Sequence, residues 1–235
     1  MDLPVLYEDD RLLVIDKPAG LLVIPGRGED QALSVVSMLR EQRGERLFVV
    51  HRLDRGTSGV LLFARDEEAH RRLCGALEAR QAEKRYLALV ALGDVSLEEP
   101  KFIDAAIAPA RRGRMRLDVR GKDARTLVRL VERLPPYALV EAVPETGRTH
   151  QIRLHLIHLG APLAVDPQYH APRALLWQTE NGIDGRMSRT PLHAAHMRFP
   201  HPDGKRFLTV EAPLAGDIAA CVEHLRRGGR VVEER

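Results

Sequence analysis

The chain has 235 residues, 44% of them hydrophobic and 29% charged, a balance that excludes a disordered chain and a collagen-like fibre. Its longest unbroken apolar run, Tyr86 to Leu92, falls far short of the roughly 20 residues a membrane helix needs, and Met1 to Asp10 alternates acids with apolar side chains instead of following the layout of a secretory leader. The cytoplasm is the default location. Two cysteines, Cys74 and Cys221, are too few for a four-cysteine zinc site or a disulfide framework. Each reads as a small buried hydrophobe.

The net charge of +3 is modest, but its placement is uneven. Residues 111–133 hold nine basic side chains (Arg111, Arg112, Arg114, Arg116, Arg120, Lys122, Arg125, Arg129 and Arg133) against Asp118, Asp123 and Glu132, a local net of +6. A field of that sign suits a phosphate backbone. A solvated strand face with arginines in water is the alternative reading.

In chain order, Leu3–Glu8 and Arg11–Asp16 read as short strands around the acidic turn Glu8-Asp9-Asp10. Lys17-Pro18-Ala19-Gly20 is a turn, with proline restricting the chain and glycine free to take positive φ. The pattern predicts a helix over 32–43, capped at Gly44. Leu47–Val50 and Gly59–Ala64 read as buried strands joined by the polar segment His51–Ser58. Asp66 is placed to cap a helix running through Arg80, and Lys84–Leu92 is a further strand. Phe102–Val143 alternates and turns like antiparallel strands, and Thr149–Leu159 is helical up to Gly160. Pro162–Thr190 reads as loop-rich. His196–Phe199 and Arg206–Glu211 form a hairpin, and Leu214–Arg227 a closing helix. Hairpins interrupted by a few helices give an α+β class. No linker stands out, so a single domain over 1–235 is expected.

Three segments carry chemistry. In His51-Arg52-Leu53-Asp54-Arg55-Gly56-Thr57-Ser58-Gly59 a carboxylate sits in a loop between apolar strands, beside two arginines that favour its ionised form. Asp54 then suits a nucleophile or base, or else a surface Asp–Arg turn. In Glu145-Thr146-Gly147-Arg148-Thr149-His150-Gln151-Ile152-Arg153, Thr149 can cap the helix, and its start beside Arg148 suits a phosphate. Arg153, one turn on, could reach a buried carboxylate. His155, His158, His193 and His196 lack metal-site spacing and read as structural. In Glu83-Lys84-Arg85-Tyr86-Leu87-Ala88, Tyr86 fits either a core position or a pocket edge where a base could stack.

Taken together and in this order, these segments resemble the RluA-type family of RNA pseudouridine synthases. The resemblance runs from about Val5 to about Leu225. It is carried by Tyr7 through Gly20, by His51-Arg52-Leu53-Asp54 through Gly59, by Lys84-Arg85-Tyr86, by Gly121-Lys122 with Ala124 and Thr126, by Thr146 through Arg153, and by Leu192-His193-Ala194 with Phe199 through Pro202. It implies a mixed, mostly antiparallel sheet flanked by helices. It implies an isomerase that detaches uridine from its ribose at N1 and rejoins it through C5, with no cofactor and no metal. Asp54 matches the essential aspartate, which attacks covalently or removes a ribose proton. Arg153 matches the arginine that keeps that aspartate ionised, and Tyr86 the tyrosine that packs on the base and helps remove the C5 proton. Arg52 matches the arginine that fills the stack when the base leaves it, a flip that costs a few kcal/mol. Lys84, Arg148 and the 111–133 cluster are phosphate-contact candidates. The partner is RNA, either ribosomal or transfer RNA, and a monomer is the default.

The chain departs from the family pattern at three places. The resemblance starts almost at Met1, so an N-terminal RNA-binding domain of the S4 type is not expected and RNA selection falls to the catalytic domain. Val165 and His170 stand where the family usually has glycines, and Ile24 where many relatives have histidine. Two other readings compete. A non-catalytic RNA-binding protein on the same scaffold has no need of Asp54, Tyr86 and Arg153 together, and a histidine-metal hydrolase predicts bound metal.

Overall fold

The computed structural model describes residues 3–26, 34–93, 95–169, 172–178 and 184–234. Its elements in chain order are β1 (Val5–Glu8), β2 (Leu12–Lys17), α1 (Val35–Arg43), β3 (Phe48–Val49), β4 (Ser58–Ala64), α2 (Glu67–Glu78), β5 (Glu83–Ala91), β6 (Lys101–Asp104), β7 (Ile107–Pro109) and β8 (Met115–Leu117). There follow β9 (Arg125–Leu134), β10 (Tyr137–Pro144), α3 (Gln151–Leu159), β11 (Ala174–Gln178), β12 (Asp184–Met187), β13 (Leu192–Pro200), β14 (Phe207–Glu211), α4 (Gly216–Arg226) and β15 (Val232–Glu234). The class is α+β, as expected. The chain packs as two compact units, residues 1–84 with 194–213 and residues 85–193 with 214–235.

In the first unit the strand order is β1-β2-β4-β13, with β3 on β4 and β14 on β13. The β1–β2, β2–β4, β3–β4 and β13–β14 ladders are antiparallel, and Leu22–Ser34 adds a parallel bridge. Strand β4 is buried along its whole length because it is central and apolar on both faces. Gly59 within it has φ +107°, and a Cβ there would lie 2.3 Å from the Ala194 carbonyl oxygen, so only glycine lets the neighbouring backbone approach. Leu12, Val14, Val60 and Leu62 pack with Ala69 and Leu73 of α2 and with Met197 and Phe199 of β13. The predicted caps are present: Asp66 accepts from the Ala69 amide at 2.9 Å, and Gly44 closes α1 at φ 66°. Helix α1 starts after Ser34, whose hydroxyl accepts from Ser37 N at 3.1 Å. The predicted start at Ala32 lies outside the described residues.

In the second unit the order is β5-β10-β9-β6, with antiparallel β10–β5, β10–β9 and β6–β9 ladders. Ile152 and Leu156 of α3 pack on Ala88, Val90, Val140 and Ala142. Strands β7 and β8 form a separate hairpin, and β12-β11-β15 a three-stranded sheet. Helix α4 buries Ile218, Cys221, Val222 and Leu225 against Leu175, Trp177 and Met187.

Three expectations need correction. Pro162–Thr190 is not merely loop: β11 and β12 pair within it, from Leu175–Met187 to Gln178–Asp184. Gly185 looks like a turn signal in sequence, but its role is steric, since a Cβ there would lie 2.0 Å from the Trp177 indole. The C-terminal β15 pairs with β11, and the sequence does not predict it because its side chains are exposed and carry no period. Thr149 does not cap α3. The cap residue is His150 in the left-handed region, φ 56° and ψ 20°, and it makes no side-chain capping bond. The Gln151 carboxamide instead fixes the turn before the helix, its Oε1 accepting from Arg148 N at 3.0 Å.

Candidate active site

In the first unit the catalytic-loop candidate is held by backbone contacts. The Asp54 carbonyl accepts from Thr57 N at 3.0 Å, closing a four-residue turn. The Lys17-Pro18-Ala19-Gly20 turn grips this loop from the side. Gly20 N donates to the Arg55 carbonyl at 2.7 Å, and Arg55 Nε donates back to the Gly20 carbonyl at 2.9 Å. Gly20 has the predicted positive φ, +92°. Lys17 is fully buried, and its Nζ donates to the carbonyls of Pro18 and Thr57 at 2.8 Å each and to that of Arg55 at 3.4 Å. An ammonium shut off from solvent and shared among carbonyls fixes the loop more firmly than a turn alone would. On this base Asp54 is half-buried and Arg52 is exposed.

His51 and Lys84 also belong to this unit. His51 Nε2 accepts from Leu62 N at 3.2 Å, so that nitrogen carries no proton. Burial, with the Lys84 ammonium as second cause, pushes the imidazole down to about 3. Burial also lowers Lys84 below the ordinary lysine range. The half-buried Lys84 thus bears electrostatically on the first residue of the Asp54 loop.

The second unit holds the other candidates. Tyr86 lies on β5 opposite Ala142 and packs, half-buried, at the margin of the core under α3. Arg153 is 5% exposed, and the buried carboxylate it reaches within its unit is Asp166, 1% exposed. The contact is bidentate: Nε donates to Oδ2 at 2.8 Å and Nη2 to Oδ1 at 2.6 Å. Nη2 also donates to Gln168 Oε1 at 2.9 Å, and the guanidinium stands 4.8 Å above the Tyr169 ring. Arg148 is elsewhere on the surface, its Nε donating to the Asp123 carbonyl at 3.0 Å. Arg148 is thereby tied to the basic segment. Val165 is fully buried in the apolar core with no left-handed backbone, so a glycine is not needed there; His170 lies outside the described residues, and Ile24 is 40% exposed.

The basic segment takes shape as the β7–β8 hairpin and the turn that follows it. Arg111, Arg112 and Arg114 sit at the exposed tip, where Arg112 and Gly113 both take left-handed backbone, and Arg120 and Lys122 are exposed beyond β8. Arg116 pairs with Asp118 at 2.6 Å, Arg125 with Asp104 at 3.2 Å and Arg129 with Glu141 at 3.3 Å. The cluster therefore divides into a tip that faces water and a base that is internally compensated. Gly121 lets the chain close on β7, since a Cβ there would lie 2.5 Å from the Ile107 carbonyl oxygen.

Sequence reasoning passes over the roles of Lys17, Gln151 and Gln168. Lys17 reads only as part of a turn, although it is the last residue of strand β2, whose other residues are almost all buried. Gln151 Nε2 donates to the Arg125 carbonyl at 2.8 Å and to Thr126 Oγ1 at 3.0 Å, while its Oε1 also accepts from Thr146 Oγ1 at 2.7 Å. The expectation of a structural His155 fits its place: it is fully buried, with Nδ1 2.8 Å from Thr126 Oγ1 and Nε2 2.9 Å from the Ala105 carbonyl. Among the described residues no cluster of three or more His, Cys, Asp or Glu could hold a metal ion, and no helix is long and apolar enough to cross a membrane.

The α+β fold carries an aspartate on a clamped loop, a buried arginine–carboxylate pair and a basic hairpin, and known proteins resemble the chain along nearly its whole length. The family model for RNA pseudouridylate synthase matches residues 11–158, which run through both units. This chain belongs to that family. It is 39% identical over 230 residues to the ribosomal large subunit pseudouridine synthase D of Nitrosomonas europaea, covering 95% of this chain and 65% of that protein. It is 36% identical over 225 residues to the ribosomal large subunit pseudouridine synthase C of Vibrio vulnificus, covering 94% of this chain and 69% of that protein. In fold it is similar to the human RNA pseudouridylate synthase domain containing 4 protein, with a TM-score of 0.73 at 23% identity, covering 99% of this chain and 95% of that one.

Proposed function

We propose that this chain is an isomerase that converts uridine to pseudouridine in RNA, with ribosomal RNA of the large subunit as its substrate in the cytoplasm. The observation that carries the reading is the Asp54 loop. Its backbone is pinned by a fully buried lysine, its carboxylate is half-buried, and the neighbouring Arg52 is exposed. A group meant to meet an extruded nucleoside needs that combination of rigid support and access. The relatives, both synthases of the ribosomal large subunit by name, supply the RNA class. Both units belong, on this reading, to one catalytic domain acting as a monomer.

The reaction breaks the N1–C1′ bond and forms C5–C1′, and the C5 proton leaves to solvent while N1 gains one, so the sum is an isomerisation without cofactor. Asp54 acts first, by attacking the ribose or by removing a ribose proton to give a glycal. Arg153 supports that carboxylate electrostatically. Tyr86 packs on the base and helps remove the C5 proton. Arg52 fills the vacated stack. Lys84, Arg148 and the hairpin-tip arginines contact phosphates.

The test is tritium release from RNA labelled at uridine C5, with no cofactor added. Wild type releases label, and Asp54→Asn binds RNA but releases none. Undiminished turnover by that variant overturns the assignment of Asp54. Replacing Arg111, Arg112 and Arg114 by alanine should flatten the salt dependence of RNA binding, the log–log slope falling by about one for each phosphate left without its arginine. Mapping pseudouridine in total RNA from cells with and without the gene separates ribosomal from transfer RNA.

A further inference from the structure

Tyr169 lies where the β7–β8 hairpin, His150 and Arg153 meet. Its ring carries the Arg153 guanidinium at 4.8 Å. Its ring also meets His150 edge-on at 5.4 Å, and its hydroxyl lies 2.6 Å from His150 Nδ1. The same hydroxyl accepts from the backbone amide of Met115 at 2.7 Å. Met115 opens β8 and directly follows Arg114 of the hairpin tip. Met115, Leu117 and Tyr169 close over Ile107, Ala124 and Leu154, so the hairpin rests on α3 through a small apolar patch, with the Tyr169 hydroxyl as a directional bond at its edge.

Tyr169 is itself fixed from below. Its amide donates at 3.1 Å to the carbonyl of Asp166, the residue whose carboxylate grips Arg153. A displacement of β8 is therefore passed to the Tyr169 ring, and from there to the guanidinium stacked on it. A phenylalanine would keep the ring and the stacking but break the connection to the hairpin backbone.

We propose that Tyr169 is a positioning residue that couples the basic hairpin to Arg153, so that RNA phosphates held at Arg111, Arg112 and Arg114 set the orientation of the guanidinium for the reaction. This deepens, and rests on, the reading of Arg153 and the hairpin given above. The hairpin arginines then influence turnover as well as affinity.

The experiment is a double-mutant cycle on kcat and KM for C5-tritiated RNA, using the full chain. Arg111→Ala/Arg112→Ala/Arg114→Ala, all at exposed positions, should raise KM and also lower kcat. Tyr169→Phe should lower kcat about ten-fold with KM changed less than about two-fold. Combining the two sets should lower kcat no further than Tyr169→Phe alone, because both break one connection. Losses in kcat that multiply would show two independent effects and overturn the proposal. So would a triple variant impaired in KM alone, or a Tyr169→Phe protein with wild-type kcat. Should Tyr169→Phe fail to fold, the triple variant's kcat decides by itself. Wild-type protein that releases no label fails the functional reading instead, which keeps the two outcomes apart.

Discussion

Arg153 and Asp166 form a two-point ion pair, Nε to Oδ2 at 2.8 Å and Nη2 to Oδ1 at 2.6 Å, with the two side chains only 6% and 2% exposed. Such a pair is costly to bury, and its geometry has to be good for the attraction to offset the desolvation. Removing Asp166 takes from the guanidinium two charge-assisted bonds made in a closed space. Asp166→Ala should destabilise the fold by about 3–5 kcal/mol, read as a shift in the urea midpoint at unchanged slope. Asp166→Asn retains one acceptor for the guanidinium and should lose less. A fall in turnover larger than the loss of folded protein, for Asp166→Asn, would show that the pair orients Arg153 as well as stabilising the unit.

Lys17 should matter through the loop and not by touching substrate. Lys17→Met is close in length but cannot donate, and it strands the carbonyls of Pro18 and Thr57 that now sit 2.8 Å from Nζ. A buried unsatisfied acceptor costs about 1–3 kcal/mol, so a loss of roughly 2–5 kcal/mol is expected. Hydrogen exchange should report it locally, as faster exchange of the Gly20 amide, which ties the two turns together, and of the Thr57 amide, which closes the Asp54 turn. Unchanged protection at both would mean that the Lys17 ammonium does not hold the loop.

Local chemistry makes much of the fold legible in sequence. The caps at Asp66 and Gly44 and the apolar strands β2 and β4 depend on a few neighbouring residues, and the sequence displays those directly. What escapes is set by distant partners. Thr149 looks like a cap because its type is right, yet His150 takes a left-handed backbone and Gln151 satisfies the amide of Arg148. Gly185 looks like a turn because nothing nearby reveals the Trp177 ring lying over it. For the site, the sequence marks Arg153 as able to reach a buried carboxylate; that Asp166 is one such partner depends on a turn 13 residues away. The roles of Asp54, Tyr86 and Arg153 come from resemblance, and they stand as proposals.

Gly59→Ala tests the central strand. The added methyl meets the backbone of Ala194, 2.3 Å from its carbonyl oxygen and 2.7 Å from its N, and the residue must hold φ +107°. Backbone cannot rotate aside as a side chain can. The substitution should cost at least about 2 kcal/mol, from strain added to overlap. Gly44→Ala provides the control, since its φ is also positive but no atom lies within 4 Å of the added methyl. Thermal midpoints of the two variants should differ, with Gly59→Ala lower; equal midpoints would show that overlap at β4 is relieved by movement of the neighbouring strand.

Two histidines, half-buried His51 and fully buried His155, give stability a definite pH dependence. His51 accepts from Leu62 N, and burial, then Lys84, hold its imidazole down to about 3. Burial is the largest cause lowering His155 as well; its neighbour His158 acts in the same direction, and Asp104 and the Ala105 carbonyl act against it. A histidine whose folded value lies below its unfolded value of about 6.5 binds fewer protons folded than unfolded, so stability rises with pH through that interval. The contribution is complete above about pH 6.5 and is lost as pH falls toward the folded value. Between about pH 6.5 and 5.5 the carboxylates are ionised in both states, so the slope there belongs to histidines. His51→Gln keeps an acceptor for Leu62 N and removes the titration. In urea unfolding across that window, the wild-type slope should exceed that of His51→Gln by up to about 1.4 kcal/mol per pH unit. Parallel slopes for the two proteins would mean that His51 takes up its proton as readily in the folded chain as in the unfolded one.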